Sequence, residues 1–360
     1  MSLPIVSEGL SRQLQLCLEK GCSDLHLSVN SPPVGRLHGL LVRLGEKVWN
    51  EADIDELIDG ILKPDSVQQL RETGRSVDTA CSAMGQRFRL NIFRERGSSA
   101  LAIRRLEPRI PSPEELNLPP ELTELTTFPH GLVLVTGPTG SGKSTTLATL
   151  LNIINHQRAC HILTIEDPVE YLHSNHQGLV RQREVGTDAV SFSDALREAM
   201  REDPDVILVG EMRDLPTARA ALTAAETGHL VFSTLHCGDS VGALDRILAL
   251  FPASEEGFAR RQLGQTLRAV LAQALMPRID KPGRVPAVEL LRCTPAVQNL
   301  IRTGQFPQLY TALETGRAHG MISYESSLAA LVGMGRINRE TARSHVRNER
   351  LFDQLIARSL

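Results

Sequence analysis

The chain has 360 residues, 41% hydrophobic and 22% charged, with a net charge of -3. That is ordinary globular composition with length enough for two domains. Near-neutral charge and only 4% aromatic residues argue against nucleic acid as the main partner and against base-stacking platforms. No apolar run approaches the roughly 18 residues that span a bilayer. The first residues lack the basic-then-apolar order of a secretory signal. A cytoplasmic protein is expected, reaching any membrane only through a partner. Cys17, Cys22, Cys81, Cys160, Cys237 and Cys293 form no C-x-x-C pair, so neither a zinc ribbon nor a disulfide framework is expected.

In chain order, residues 8–22 have helical spacing, and Leu25 and Leu27 alternate as in a strand. Val34 to Leu44 alternates again, with Gly35 and Gly39 read as turn residues. Residues 52–62 read as a helix that Pro64 ends. Arg87 to Phe93 and Leu101 to Leu106 read as half-exposed strands with a basic face. A small α+β domain over residues 1–106 follows. Residues 107–130, with six prolines, are expected to be a semi-rigid linker.

From residue 131 strands and helices alternate, which predicts a parallel α/β sheet. Strands are expected at 132–135, 161–165, 206–209 and 229–236, with helices over 191–201 and 216–227. Residues 254–276 read as one long helix, a short strand falls near 285–291, and helices follow at 295–303, 321–334, 338–346 and 348–358. The region from about residue 254 is thus expected to be helical.

The chemistry centres on Gly137, Pro138, Thr139, Gly140, Ser141, Gly142, Lys143, Ser144 and Thr145. An apolar strand before and a helical pattern after give the context of a phosphate-binding P-loop. Its amides face phosphates at a helix N-terminus, Lys143 reaches the β- and γ-phosphates of ATP, and the Ser144 hydroxyl binds Mg2+. Where many P-loop enzymes end their second core strand in Asp, this chain has Gly210 followed by Glu211. Glu211 is the expected general base, and with Glu166 at a neighbouring strand end it would reach Mg2+ through water. Asp167 and Glu170 are weaker candidates of the same kind. His229 and His236 bracket one strand, and odd spacing turns them to opposite faces. His229 is a second candidate for nucleotide contact, but His236 is the better γ-phosphate sensor, the alternative being a histidine hydrogen-bonded within the core. Arg89 and Arg104 are ordinary surface arginines unless an assembly brings them to the phosphates as arginine fingers.

Taken together these segments resemble the secretion-type ATPases, and within them the type IV pilus retraction ATPase family. Gly21 to His26 resembles that family's G-x-S-D-L-H segment, and Gly137 to Ser144 its Walker A loop. Ile165 to Tyr171 resembles its Asp box, Arg201 to Asp214 its Walker B stretch, and Gly228 to His236 its His box. The resemblance implies a PAS-like N-terminal domain, a RecA-like motor domain and a homohexameric ring. It also implies ATP held between the domains, with the arginines matching Arg89 and Arg104 approaching the phosphates. Hydrolysis in that family turns an inner-membrane platform protein and disassembles a pilus. A missing C-x-x-C pair and a short N-terminal region favour the retraction branch over pilus assembly or type II secretion ATPases. Ala296 to Arg302 resembles the retraction-associated A-I-R-N-L-I-R segment, departing at Gln298, with Thr303 where Glu is usual. An accessory paralogue, or less readily a nucleic-acid translocase, is the alternative.

Overall fold

The computed structural model describes residues 7–37, 40–106 and 109–359. It divides into two compact units, Met1–Arg109 with Asp167–Leu172, and Ile110–Glu166 with His173–Leu360. Among the described residues no helix is long and apolar enough to cross a membrane.

In the first unit, α1 (Glu8–Glu19) opens on Ser7, whose hydroxyl accepts from the Leu10 amide, and Gly21, at φ 69°, follows its end. The chain continues through β1 (Asp24–Ser28), β2 (Val34–Leu37), β3 (Leu40–Arg43), α2 (Glu51–Asp59), α3 (Pro64–Thr73), β4 (Val77–Ala83), β5 (Gln86–Glu95) and β6 (Ser98–Leu106). The strands form one antiparallel sheet, ordered β3-β2-β1-β6-β5-β4. Leu10 and Leu14 of α1, Ile54 of α2 and Leu70 of α3 pack on Leu25, Leu27, Phe88 and Leu90 to make its core.

Two expectations change here. Pro64 begins α3 instead of merely ending a helix, because its missing N–H is harmless at a first helical position. Gly35 lies inside β2, where a Cβ would stand 2.7 Å from the Cys22 sulfur, so close approach and not a turn explains it. Gly39 lies outside the described residues.

The second unit begins with α4 (Pro113–Leu116) and a 3-10 helix, Pro120–Thr127. This segment was expected to be an irregular linker. Instead Pro113 and Pro120 sit at helix starts, and Leu122 and Leu125 are fully buried in the second unit's core. There follow β7 (Gly131–Thr136), α5 (Lys143–Gln157), β8 (His161–Glu166), β9 (Leu179–Glu184), α6 (Phe192–Ala199), β10 (Val206–Val209), α7 (Leu215–Glu226), β11 (Leu230–Leu235), α8 (Ser240–Leu248) and α9 (Glu256–Thr266). The chain ends with β12 (Leu267–Pro277), β13 (Arg284–Arg292), α10 (Pro295–Thr303), α11 (Pro307–Thr315), α12 (Tyr324–Gly333), α13 (Arg339–Arg343) and α14 (Glu349–Ser359).

The sheet order is β13-β12-β7-β11-β10-β8-β9, and every pair is parallel except β12 with β13. Parallel strands covered on both faces are continuously apolar, as all six residues of β7 and of β11 show by being buried. Residues 267–276 fall in the second half of the expected long helix. They lie in β12, which pairs with β7 on one side and β13 on the other. Ala, Leu, Gln and Met favour helix locally, but pairing inside a buried sheet overrides that preference. The helical region therefore starts after β13, not near residue 254.

Candidate nucleotide site

Parallel pairing puts the carboxyl ends of β7, β8, β10 and β11 on one edge of the sheet, where α/β proteins bind ligands. The turn from β7 into α5 runs along that edge. Gly137, Gly140 and Gly142 take φ of 148°, 77° and 90°, which L side chains resist. A Cβ on Gly137 would meet the Gln273 carbonyl oxygen at 2.2 Å. Such glycines let the turn wrap closely over the start of α5, an arrangement suited to phosphate. Lys143 is buried, and its ammonium donates to the carbonyls of Gly137 (2.8 Å) and Pro138 (3.2 Å). The Ser144 side chain is exposed on the first turn of α5.

His236 follows β11 and lies between two partners. Its Nδ1 is 3.5 Å from Lys143 Nζ, and its Nε2 is 3.2 Å from Glu211 Oε1. An ammonium only donates, so Nδ1 accepts and Nε2 carries the proton toward Glu211. The same Glu211 oxygen takes Arg213 Nε at 2.6 Å. Burial alone would raise the Glu211 pKa. Hydrogen bonding and charge from Arg213, with a further contribution from His236, outweigh it and hold the carboxyl below its ordinary value.

Glu166, at the end of β8, accepts from Thr164 Oγ1 (2.6 Å) and Gln182 Nε2 (3.2 Å). Gly210 separates the two acids. A Cβ there would stand 3.1 Å from the Ile165 carbonyl and 3.4 Å from Glu166 Cα. A side chain at this strand end would press on its neighbours, and the carboxylate stands one residue on, at Glu211.

Lys143, His236 and Glu211 are thus brought together, with Glu166 next to Gly210. His229 is not with them. It precedes β11 at the opposite edge, its carbonyl accepting from the Gly131 amide and its Nδ1 2.9 Å from the Ala224 carbonyl oxygen. Six strand residues separate it from His236, on the order of 20 Å, so its expected place at the nucleotide is corrected to a hydrogen-bonding role at a turn. Arg89 and Arg104 belong to the first unit, where Arg89 pairs with Asp78 (3.5 Å) and Glu170 (3.7 Å), and Arg104 with Asp24 (2.8 Å).

Gln273 was missed. Its side chain donates to the Ser141 carbonyl at 2.6 Å and accepts from Thr146 Oγ1 at 2.8 Å, clamping the turn to the first helical residues. A cavity of about 270 Å³ opens beside it, lined in part by Gly142, Thr145, Lys281 and Arg284. The only signal in the sequence is one polar residue in an apolar run, which a helical reading hides.

The profile of the family described as Type II/IV secretion system protein matches residues 87–338. A protein of Pseudomonas aeruginosa named type IV pilus retractation ATPase PilT is 43% identical over 93% of this chain and 97% of its own. YggR of Escherichia coli, an uncharacterized protein, is 45% identical over 89% of this chain and 98% of its own. The crystal structure of the pilus retraction motor PilT with bound ADP superposes with a TM-score of 0.87 at 40% identity, covering 96% of this chain and 99% of that one.

Proposed function

Because the chain belongs to the Type II/IV secretion system protein family, we propose that it is a hexameric motor that hydrolyses ATP to retract a type IV pilus. The convergence of Lys143, His236 and Glu211 at one end of the sheet carries this reading. ATP lies with its phosphates against the amides of residues 139–145. Lys143 exchanges the carbonyls of Gly137 and Pro138 for phosphate oxygens, and the base and ribose enter the cavity beside Gln273. Glu211 is ionised at neutral pH because Arg213 and His236 favour its charge, so it can take the proton of the attacking water. His236, between Lys143 and Glu211, registers the γ-phosphate at both. The exposed Ser144 hydroxyl suits Mg2+, with Glu166 and Glu211 reaching it through water; the ion would neutralise charge on the β- and γ-phosphates. Arg89 and Arg104 act as fingers only within the ring, and both give up solvent-exposed ion pairs worth about 0–1 kcal/mol each.

The motor works from the cytoplasm, through an inner-membrane platform protein and not through nucleic acid. Substituting Glu211→Gln tests the chemistry: turnover falls by about a hundredfold or more while ATP affinity stays within about threefold. Wild-type turnover in that variant would remove Glu211 from the role. Deleting the gene tests the direction. Surface pili accumulate if the motor retracts and vanish if it assembles. Gln298 and Thr303 favour a second reading, an accessory partner to another retraction motor, for which deletion leaves pilus number unchanged.

A further inference from the structure

His236 rides on the short loop from β11 to α8, and that loop is fastened at both ends. At one end Thr136 Oγ1 donates to the Cys237 carbonyl at 2.9 Å and accepts from the Cys237 amide at 2.8 Å. At the other, the amide and the hydroxyl of Ser240 both donate to Glu289 Oε1, at 2.8 and 2.6 Å. Glu289, on β13, is 1% exposed. A carboxylate so deeply buried needs a charged partner. Its partner is Arg347, between α13 and α14, whose Nη1 donates to Glu289 Oε2 at 2.8 Å. The other guanidinium nitrogen, Nη2, lies 3.5 Å from the Gly238 carbonyl oxygen, on the loop itself.

Arg347 is itself held. Its backbone amide and that of Asn348 donate to Glu325 Oε1 of α12, both at 3.1 Å. Its guanidinium lies over the Tyr324 ring, 5.6 Å from the centroid. The C-terminal tail thus inserts one cation beneath the loop that bears His236, from a segment that lies in none of the phosphate-site motifs.

We infer that Arg347 is a positioning residue for hydrolysis, fixing His236 against Lys143 and Glu211 through Glu289 and Ser240. This rests on the reading of His236 as part of the hydrolytic site. Without Arg347, Glu289 keeps only the two Ser240 donors for a buried charge. The carboxylate then turns toward water and releases Ser240. The contacts of His236, 3.2 and 3.5 Å long, are at the long end for hydrogen bonds, so a small displacement weakens or breaks them.

A double-mutant cycle on the full-length protein separates positioning from mere stability. The kcat and KM for ATP are measured for Arg347→Ala, His236→Ala and the double variant, each well below its melting temperature. Each single variant loses about tenfold or more in kcat with KM within about threefold, and the double variant falls no more than about twofold below His236→Ala alone. If Arg347→Ala does not fold, Arg347→Lys carries the same cycle at smaller amplitude, since an ammonium cannot span Glu289 and the Gly238 carbonyl as a planar fork does. Unchanged kcat in the Arg347 variant, or losses that multiply with those of His236→Ala, would overturn the inference and leave the ATPase reading intact. Wild-type kcat in His236→Ala alone would remove His236 from the hydrolytic site, and the inference with it.

Discussion

Glu211 is pulled in two directions, and the balance is measurable. Burial favours its neutral form, whereas Arg213 and His236 favour the charge. Replacing Arg213 with Ala leaves burial with one opponent fewer, so the Glu211 pKa rises. A protonated carboxyl cannot accept a proton, and the acid limb of the kcat profile shifts to higher pH. Turnover at about pH 6 then falls relative to that at about pH 8, more steeply than in the wild type. Gly210 makes a second case at this scale. Gly210→Ala drives a methyl against the Ile165 carbonyl and the Phe192 ring, at 3.1 and 3.3 Å. The expected cost is about 1–3 kcal/mol, read by denaturant unfolding.

At the scale of elements, β12 is the instructive one. Gln273 stands at its centre and makes two buried hydrogen bonds to the phosphate-binding turn. Gln273→Leu leaves the Ser141 carbonyl and the Thr146 hydroxyl without that partner, at about 1–3 kcal/mol for each unsatisfied group. The KM for ATP rises while kcat at saturation changes less, because the turn is disturbed and the pair of His236 and Glu211 is not; steady-state kinetics checks this. The P-loop strand, the acids at strand ends and His236 were legible because local order carries them: strand, turn, helix, with the polar residue at the carboxyl end. Gln273 and β12 were not, because their identity depends on β7 and β13, which lie far off in sequence. The proline-rich stretch misled for the opposite reason. Proline density was read as irregularity, although single prolines at first helical positions start short helices.

For the whole molecule, the proposed ring has a direct test. Mixing Glu211→Gln subunits into wild-type hexamers should lower turnover more than in proportion to their share, because a stalled subunit blocks its neighbours. A strictly proportional decline would mean that the subunits work independently. Within a single chain, the proposed site and its support span Lys143 to Arg347, and the last of these lies beyond the matched family segment, residues 87–338.

The hairpin of β12 and β13 ties both sides of the phosphate site to one ribbon. Gln273 holds the turn, and Glu289, opposite Ala272, holds the loop of His236. The two attachments nevertheless differ in how they open. Amides of β12 are locked between β7 and β13, so their hydrogens exchange only when the whole sheet unfolds. The Ser240 amide is held instead by a single side chain, that of Glu289, and should exchange sooner. The attachment at the phosphate turn is then the slower to open, and the attachment under the loop of His236 the faster.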